Sequence, residues 1–340
     1  MNKLRYSEMF YSIQGEGRYV GVPSLFLRLF GCNFECRGFG QDRDKSKWIP
    51  HEEMPHNQDY PDVKKLEDLP VPHVGCDSSF SWGKKWGHLA HYDDVDTIVD
   101  KINSFIPKTE PIHLVLTGGE PLLKGFQPAM SDIILHSKLG LNNITFETNG
   151  TQEYYFKDLV NSGTNSPWPF AEKINIATMS GEQNPYLSGG LDNMNKKTSW
   201  YNDRYGDRSS YIFSSYCIPN GITWSVSPKL SNSGEKWEDA IIPDALLSYN
   251  SWPMSFLYLK FVVRDEDDLT EVKEAIMMYR DAGVKIDAVY LMPETGPPMY
   301  DNEGFELKDS SYEVSQLALK YGYRYSPRLQ INLFGNAWGT

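Results

Sequence analysis

The sequence predicts an α/β fold built on a parallel sheet, either open or curled into a barrel. Apolar runs of strand length recur along the chain, and amphipathic helical patterns stand between several of them. Glycine-rich and cysteine-bearing phrases follow the ends of these runs, and in parallel α/β folds the loops after strand C-termini carry the chemistry.

The first run, 24–30, has Arg28 as its only formal charge. Runs at 112–116, 143–147, 223–226, 256–263 and 286–291 follow, with 328–334 a candidate last strand. Between them, Val95, Ile98, Val99, Ile102 and Phe105 fall on one face of a helix over 94–105. Similar patterns occupy 128–139, 237–247, 269–282 and 311–321. Strand, helix, strand repetition implies right-handed crossovers between parallel strands. Two stretches break the rhythm. Residues 37–75 are rich in Asp, Glu, Lys and Pro, and 179–221 in Asn, Ser, Gly and Tyr; both read as long insertions in a single domain over 1–340.

The chain has 340 residues and 40% hydrophobic content, enough for a substantial core. Thirty-three basic residues against 45 acidic ones give a net charge of −12, which repels nucleic-acid phosphate and anionic lipid and favours a small-molecule substrate. Tyr201, Tyr205 and Tyr211 near Lys196, Lys197, Arg204 and Arg208 accordingly read as a solvated or partner-covering loop, with no direct nucleic-acid binding expected. Residues 1–8 lack the apolar core of a signal peptide, and no apolar stretch reaches the roughly 18 residues of a membrane span. Four cysteines, with Cys217 alone, do not form the even framework of a small secreted domain, so a soluble, cytoplasmic protein is expected.

The other three cysteines are Cys32, Cys36 and Cys76, the last opening the phrase Cys76-Asp77-Ser78 after the first insertion. Three thiolates at one point suit an iron–sulfur cluster with one iron left open. They equally suit a Cys₃His zinc site completed by His73, and unrelated buried thiols are a third reading. Thr117-Gly118-Gly119-Glu120-Pro121 permits close backbone approach to a ligand but alone reads as a plain turn. Glu147-Thr148-Asn149-Gly150 and Ser227-Pro228-Lys229 stand at later strand ends, where solvated turns are the alternative. Arg28, inside an apolar run, must reach a sheet edge or meet an internal anion. Lys260, in a similar run, could serve a pocket, but it is expected at an edge with its ammonium snorkelling to water.

Phe10-Tyr11-Ser12-Ile13-Gln14-Gly15-Glu16-Gly17, then Gly21-Val22-Pro23-Ser24 and Arg28-Leu29-Phe30-Gly31-Cys32-Asn33, resemble the 7-carboxy-7-deazaguanine synthase family of radical S-adenosylmethionine (SAM) enzymes. The Cys76, Thr117, Glu147 and Ser227 phrases and the tail 328–339 also resemble family segments, while neither insertion does. The resemblance implies a partial or modified (β/α) barrel of the radical SAM type. It implies a 4Fe–4S cluster on Cys32, Cys36 and Cys76, and SAM bound by Gly118, Gly119, Glu120, Glu147, Asn149, Ser227 and Lys229. A pterin substrate, 6-carboxytetrahydropterin, would meet Gln14, Gly15, Glu16, Arg28 and Thr117, and lose ammonia to give 7-carboxy-7-deazaguanine. Mg²⁺ would sit on Ser78, which replaces a family threonine; helix capping is the alternative for that hydroxyl. A homodimer and an external electron donor such as flavodoxin complete what the resemblance implies. The chain departs from the usual Cys-x₃-Cys-x₂-Cys, since residue 39 is Phe39, so Cys76 serves only if 37–75 loops out and returns. Two other functions share parts of this pattern: an activase that installs a glycyl radical in a partner protein, and a zinc-stabilised binding protein.

Overall fold

The computed structural model describes residues 2–72, 74–105, 112–136, 139, 141–158, 221–252, 254–294, 310–335 and 337–339. The second predicted insertion apart from Gly221, its aromatic and basic residues, Cys217 and His73 lie outside these.

Nine strands among the described residues form one sheet: β1 Lys3–Ile13, β2 Pro23–Leu29, β3 His91–Asp94, β4 Ile112–Gly118, β5 Leu141–Thr148, β6 Ile222–Val226, β7 Phe256–Val263, β8 Ala288–Pro293 and β9 Arg324–Tyr325. Their order is β3-β1-β2-β4-β5-β6-β7-β8-β9. From β2 to β9 every pairing is parallel, while β1 runs antiparallel to both β2 and β3. The hydrogen-bonded order ends at β3 and β9, so the described strands make an open, largely parallel sheet rather than a closed barrel.

The helices are α1 Val95–Phe105, α2 Gln127–Ile134, α3 Trp237–Ala240, α4 Pro243–Asn250, α5 Asp268–Asp281, α6 Ser310–Tyr321 and α7 Leu329–Phe334. Asp94 caps α1 by accepting the Thr97 amide at 2.9 Å. Pro243 divides the helix expected over 237–247 because it starts a new helix readily and cannot continue an old one. The expected last strand is instead α7, which follows Arg328 and stops at Gly335 with φ +64°. The alternation Leu329-Gln330-Ile331-Asn332 imitates a strand, but the open side of β8 is already taken by β9.

Strand periodicity assigns the two faces. Leu25, Leu27, Leu29, Leu114, Leu116, Ile144, Phe146, Trp224, Leu257, Leu259 and Phe261 enter one core cluster with apolar residues of α1, α2, α4, α5 and α6. Each such leucine contributes about 1.5–3 kcal/mol by leaving water. One residue out of step, Phe26, Arg28, Thr117, Glu147, Ser225 and Lys260 line a cavity of about 490 Å³ on the opposite face. This corrects the expectation for Lys260: it is buried in the cavity wall.

Among its described residues the first insertion packs without long helices or strands. It holds short 3₁₀ turns at Lys45–Lys47, His51–Glu53, Pro55–Asn57 and Leu66–Asp68. Leu66 and Leu69 join Phe30, Phe80 and Trp86 in a satellite core, and the Trp86 indole donates to the His56 carbonyl at 2.8 Å. Arg43 pairs with Asp268 at 3.1 Å and with Asp265. Among the described residues no helix is long and apolar enough to cross a membrane.

Candidate functional site

The cysteine loop leaves β2 through Gly31, whose φ of +145° suits glycine. Cys36 adopts φ +50°, an uncommon conformation for a side-chain-bearing residue. Its amide and that of Glu35 both donate to Glu235, at 2.7 and 3.0 Å, and hold the turn in place. The insertion departs after Cys36 and returns where the Gly75 amide donates to the Phe39 carbonyl at 2.7 Å. Cys76 follows at once. Cys32, Cys76 and Phe39 pack against the small cluster of Phe34, Cys36 and Ala240, and all three thiols are free and line the cavity.

Burial pushes the Cys32 thiol up to about 12, against a stabilising hydrogen bond from the Phe34 amide. Burial likewise raises Cys36 and Cys76. The three thiols are therefore protonated until a cationic metal group stabilises their thiolates. Zinc requires its sulfurs within about 2.3 Å of one ion. Among the described residues no three His, Cys, Asp or Glu side chains meet the demand of a single ion. Three thiolates are the donor set of a cluster with one iron left open, in which each thiolate binds a different iron.

The turn after β4 interleaves with the cysteine loop. A Cβ on Gly118 would lie 2.4 Å from the Leu29 amide nitrogen, and one on Gly119 would lie 2.0 Å from the Gly31 carbonyl oxygen. Glu120 donates its amide to that same carbonyl at 2.8 Å. Its carboxyl is fully buried and accepts from Thr148 Oγ1 at 2.8 Å, the Asn149 amide at 2.7 Å and the Leu122 amide at 2.9 Å. Burial raises its pKa to about 7. Glu120 thus braces the ends of β4 and β5 and is not part of the cavity lining. Asn149 does line it, with Nδ2 donating to Asn33 at 2.9 Å. Lys229 faces the same space, 3.2 Å from Ser227 Oγ and 5.7 Å from the Phe39 ring centroid.

The rest of the wall is a chain of charges. Arg28 donates through Nε to Glu8 at 2.7 Å and through Nη1 to Ser78 Oγ at 2.9 Å. Ser78 Oγ donates to Asp77 Oδ1 at 3.3 Å, and Asp77 Oδ2 accepts from Arg328. Arg328 also reaches Glu16 at 3.4 Å, and Glu16 accepts further from Gln330 at 2.9 Å and from Lys260. Burial alone would raise the Glu16 carboxyl, but Lys260, Arg328 and Gln330 hold it well below the usual carboxylate range. Glu147 accepts from Gln14 at 3.1 Å and from Thr117 at 2.8 Å. At Gly15 a side chain would collide with Gln330, only 1.6 Å from a Cβ there.

The predicted Cys32, Cys36, Cys76, Ser78, Gly118, Gly119, Glu147, Asn149, Ser227, Lys229, Gln14, Gly15, Glu16, Arg28 and Thr117 all line this one cavity; Glu120 lies behind it. Sequence reasoning gave no site role to Glu8, Arg328, Gln330 or Glu294, and it set Lys260 at an edge in preference to the pocket that it lines. Strand parity held the signal for Lys260, which stands an even number of residues from Tyr258 and Val262 on the face away from the leucines.

No family model matches the chain. It is 26% identical, over 98% of its own length and 91% of the relative's, to the 7-carboxy-7-deazaguanine synthase of Halobacterium salinarum. It is 24% identical to the enzyme of that name from Rhodopirellula baltica, over 100% of this chain and 90% of the other. The crystal structure of QueE from Escherichia coli covers 96% of this chain and 93% of its own, with a TM-score of 0.45 and 18% identity.

Proposed function

We infer that this chain, a relative of the 7-carboxy-7-deazaguanine synthases along nearly its whole length, is a radical SAM lyase that converts 6-carboxy-5,6,7,8-tetrahydropterin to 7-carboxy-7-deazaguanine with loss of ammonia. One observation carries the reading beyond the similarity. Three free cysteines, two from the loop after β2 and one from beyond the first insertion, share a single cavity with Gln14, Glu16 and Arg28, in a wall of fixed charges suited to a small polar substrate.

Cys32, Cys36 and Cys76 would hold the cluster, which together with SAM supplies a radical able to take hydrogen from carbon. Gly118 and Gly119 leave backbone exposed for SAM to approach, while Asn149, Ser227 and Lys229 offer an amide, a hydroxyl and an ammonium. Glu147 is kept oriented by Gln14 and Thr117, and Glu120 contributes by holding that strand end in register. On the substrate side, Glu16 is ionised and can accept from the amino and ring N–H groups of a pterin, while Arg28 offers Nη2 to its carboxylate. The first insertion adds Val71 and Pro72, and the tail adds Ala337 and Trp338, to the wall that excludes water. We read the sheet as the partial barrel of the radical SAM type, in one domain interrupted by the insertions. A cytoplasmic homodimer served by an external electron donor of the flavodoxin kind belongs to the same reading.

The test is anaerobic turnover. Reconstituted protein given SAM, dithionite and 6-carboxytetrahydropterin should release 7-carboxy-7-deazaguanine, identified by mass. SAM cleavage with no deazapurine product would refute the substrate assignment.

A further inference from the structure

The resemblance would seat Mg²⁺ on the hydroxyl of Ser78, beside the substrate carboxylate. The residues around Ser78 do not fit that ion. Ser78 Oγ accepts from Arg28 Nη1 at 2.9 Å, and its own proton is directed at Asp77 Oδ1 at 3.3 Å. Asp77, the nearest carboxylate in sequence, accepts from Arg328 through its other oxygen. The Ser78 hydroxyl and one oxygen of the adjacent Asp77 carboxylate are thus engaged by guanidinium groups. Mg²⁺ demands near-octahedral oxygen ligation at about 2.0–2.1 Å, so an ion on Ser78 would crowd the guanidinium that already uses the same oxygen, with charges of like sign.

The two arginines are themselves built in. Arg28 is anchored by Glu8 at 2.7 Å and Arg328 by Glu16 at 3.4 Å, with side chains only 18% and 12% exposed. The ion pairs to Glu8 and Asp77 keep both guanidinium groups charged, and Arg28 Nη2 makes no hydrogen bond among the described residues. Both arginines line the cavity. A planar guanidinium fixed by carboxylates behind it matches a carboxylate in front of it, and supplies fixed positive charge without a metal.

We propose that Arg28 and Arg328, linked through Ser78 and Asp77, occupy the role of the divalent cation, so that this chain binds and turns over its carboxylate substrate without Mg²⁺. The proposal rests on the function inferred above, and its first test does not depend on turnover. Mn²⁺ added to reconstituted enzyme in buffer stripped of other divalent ions, followed by electron paramagnetic resonance, should keep the signal of the free aqueous ion. A bound Mn²⁺ signal in the wild type that Ser78→Ala abolishes would overturn the proposal.

The second test compares deazapurine formation with and without added Mg²⁺ in buffer stripped of divalent ions. Rates should agree within about twofold, and stimulation of about tenfold or more would overturn the proposal. Arg328→Gln should lower the rate at least about tenfold and make it respond to Mg²⁺, because Asp77 is then released. If no deazapurine forms under either condition, the inferred reaction is wrong, and the Mn²⁺ measurement alone decides whether Ser78 is a cation site.

Discussion

The Gly75 amide donates to the Phe39 carbonyl at 2.7 Å, and this bond brings Cys76 back beside Cys32 and Cys36 after an excursion through residues 40–74. Phe39 stands where a third cysteine is expected, and it now packs as an apolar neighbour of the three thiols. Closing so long an insertion costs little more than closing a short one, since closure grows only as the logarithm of loop length, and burial in the satellite core offsets the ordering of its turns.

Gly75 adopts φ +79°, and a Cβ there would come within 2.4 Å of the Met54 methyl. Gly75→Val should therefore destabilise the fold by about 1–3 kcal/mol in urea and reduce iron bound after reconstitution. Gly125→Ala, at a glycine with open space around it, is the matched control and should change neither. Full iron loading in Gly75→Val would show that the closure does not position Cys76.

Removing the partner of a buried ion is costly. Lys260→Met would leave Glu16 with Arg328 and Gln330 only, and about 3–5 kcal/mol of stability should be lost at pH 7. The Lys260 ammonium keeps Glu16 ionised, so without it the Glu16 pKa moves up and protonation relieves part of the penalty as pH falls. Urea unfolding at pH 7 and pH 5 checks this: an equal loss at both values would mean that charge is not the cause.

Much of this arrangement was legible because strand parity and cysteine chemistry are local signals. The parallel strands β2 and β4 to β8, α1 and the cysteine loop follow from short stretches read in isolation, whereas β9 does not. β1 was not read, because Arg5 and Glu8 interrupt its apolar pattern, and only the fold reveals that Glu8 faces inward to meet Arg28. Arg328 and Gln330 were missed for a different reason: they reach Glu16 from more than 300 positions away, a juxtaposition that no local pattern encodes. The tail's alternation even pointed to a strand, although Gly335 was available as a helix stop.

Glu294, after β8, accepts from the Gly40 amide at 2.7 Å and so ties the insertion to the far side of the cavity. Burial raises its pKa from 4.5 to about 7, with Asp268 adding to the rise and the Gly40 amide, Arg264 and Arg43 opposing it. The folded value exceeds the unfolded one, so the ionised carboxylate costs stability above pH 7, and that cost disappears as pH falls towards 4.5. Stability should rise on acidification across that window by at most ~3 kcal/mol from this group. Glu294→Gln should flatten that part of the profile; an unchanged slope in urea unfolding from pH 8 to pH 5 would remove Glu294 as its source.

Gly119 joins the glycine turn after β4 to the cysteine loop. A Cβ there would sit 2.0 Å from the Gly31 carbonyl oxygen and 2.8 Å from Cys32 Cβ, and the first of these is backbone that cannot rotate away. Gly119→Ala must push the two loops apart, so it should lower both iron content and SAM binding, measured by equilibrium dialysis of labelled SAM against the reconstituted protein. A general loss of stability is controlled by Gly21→Ala, where φ is +89° but a Cβ meets nothing within 4 Å. That variant should lose about 1–2 kcal/mol of stability while keeping its iron and its SAM. If Gly119→Ala behaves like Gly21→Ala, the contact between the loops is mere packing; if it alone loses the cofactors, the close approach of Gly119 to Gly31 sets the geometry in which cysteines and SAM meet.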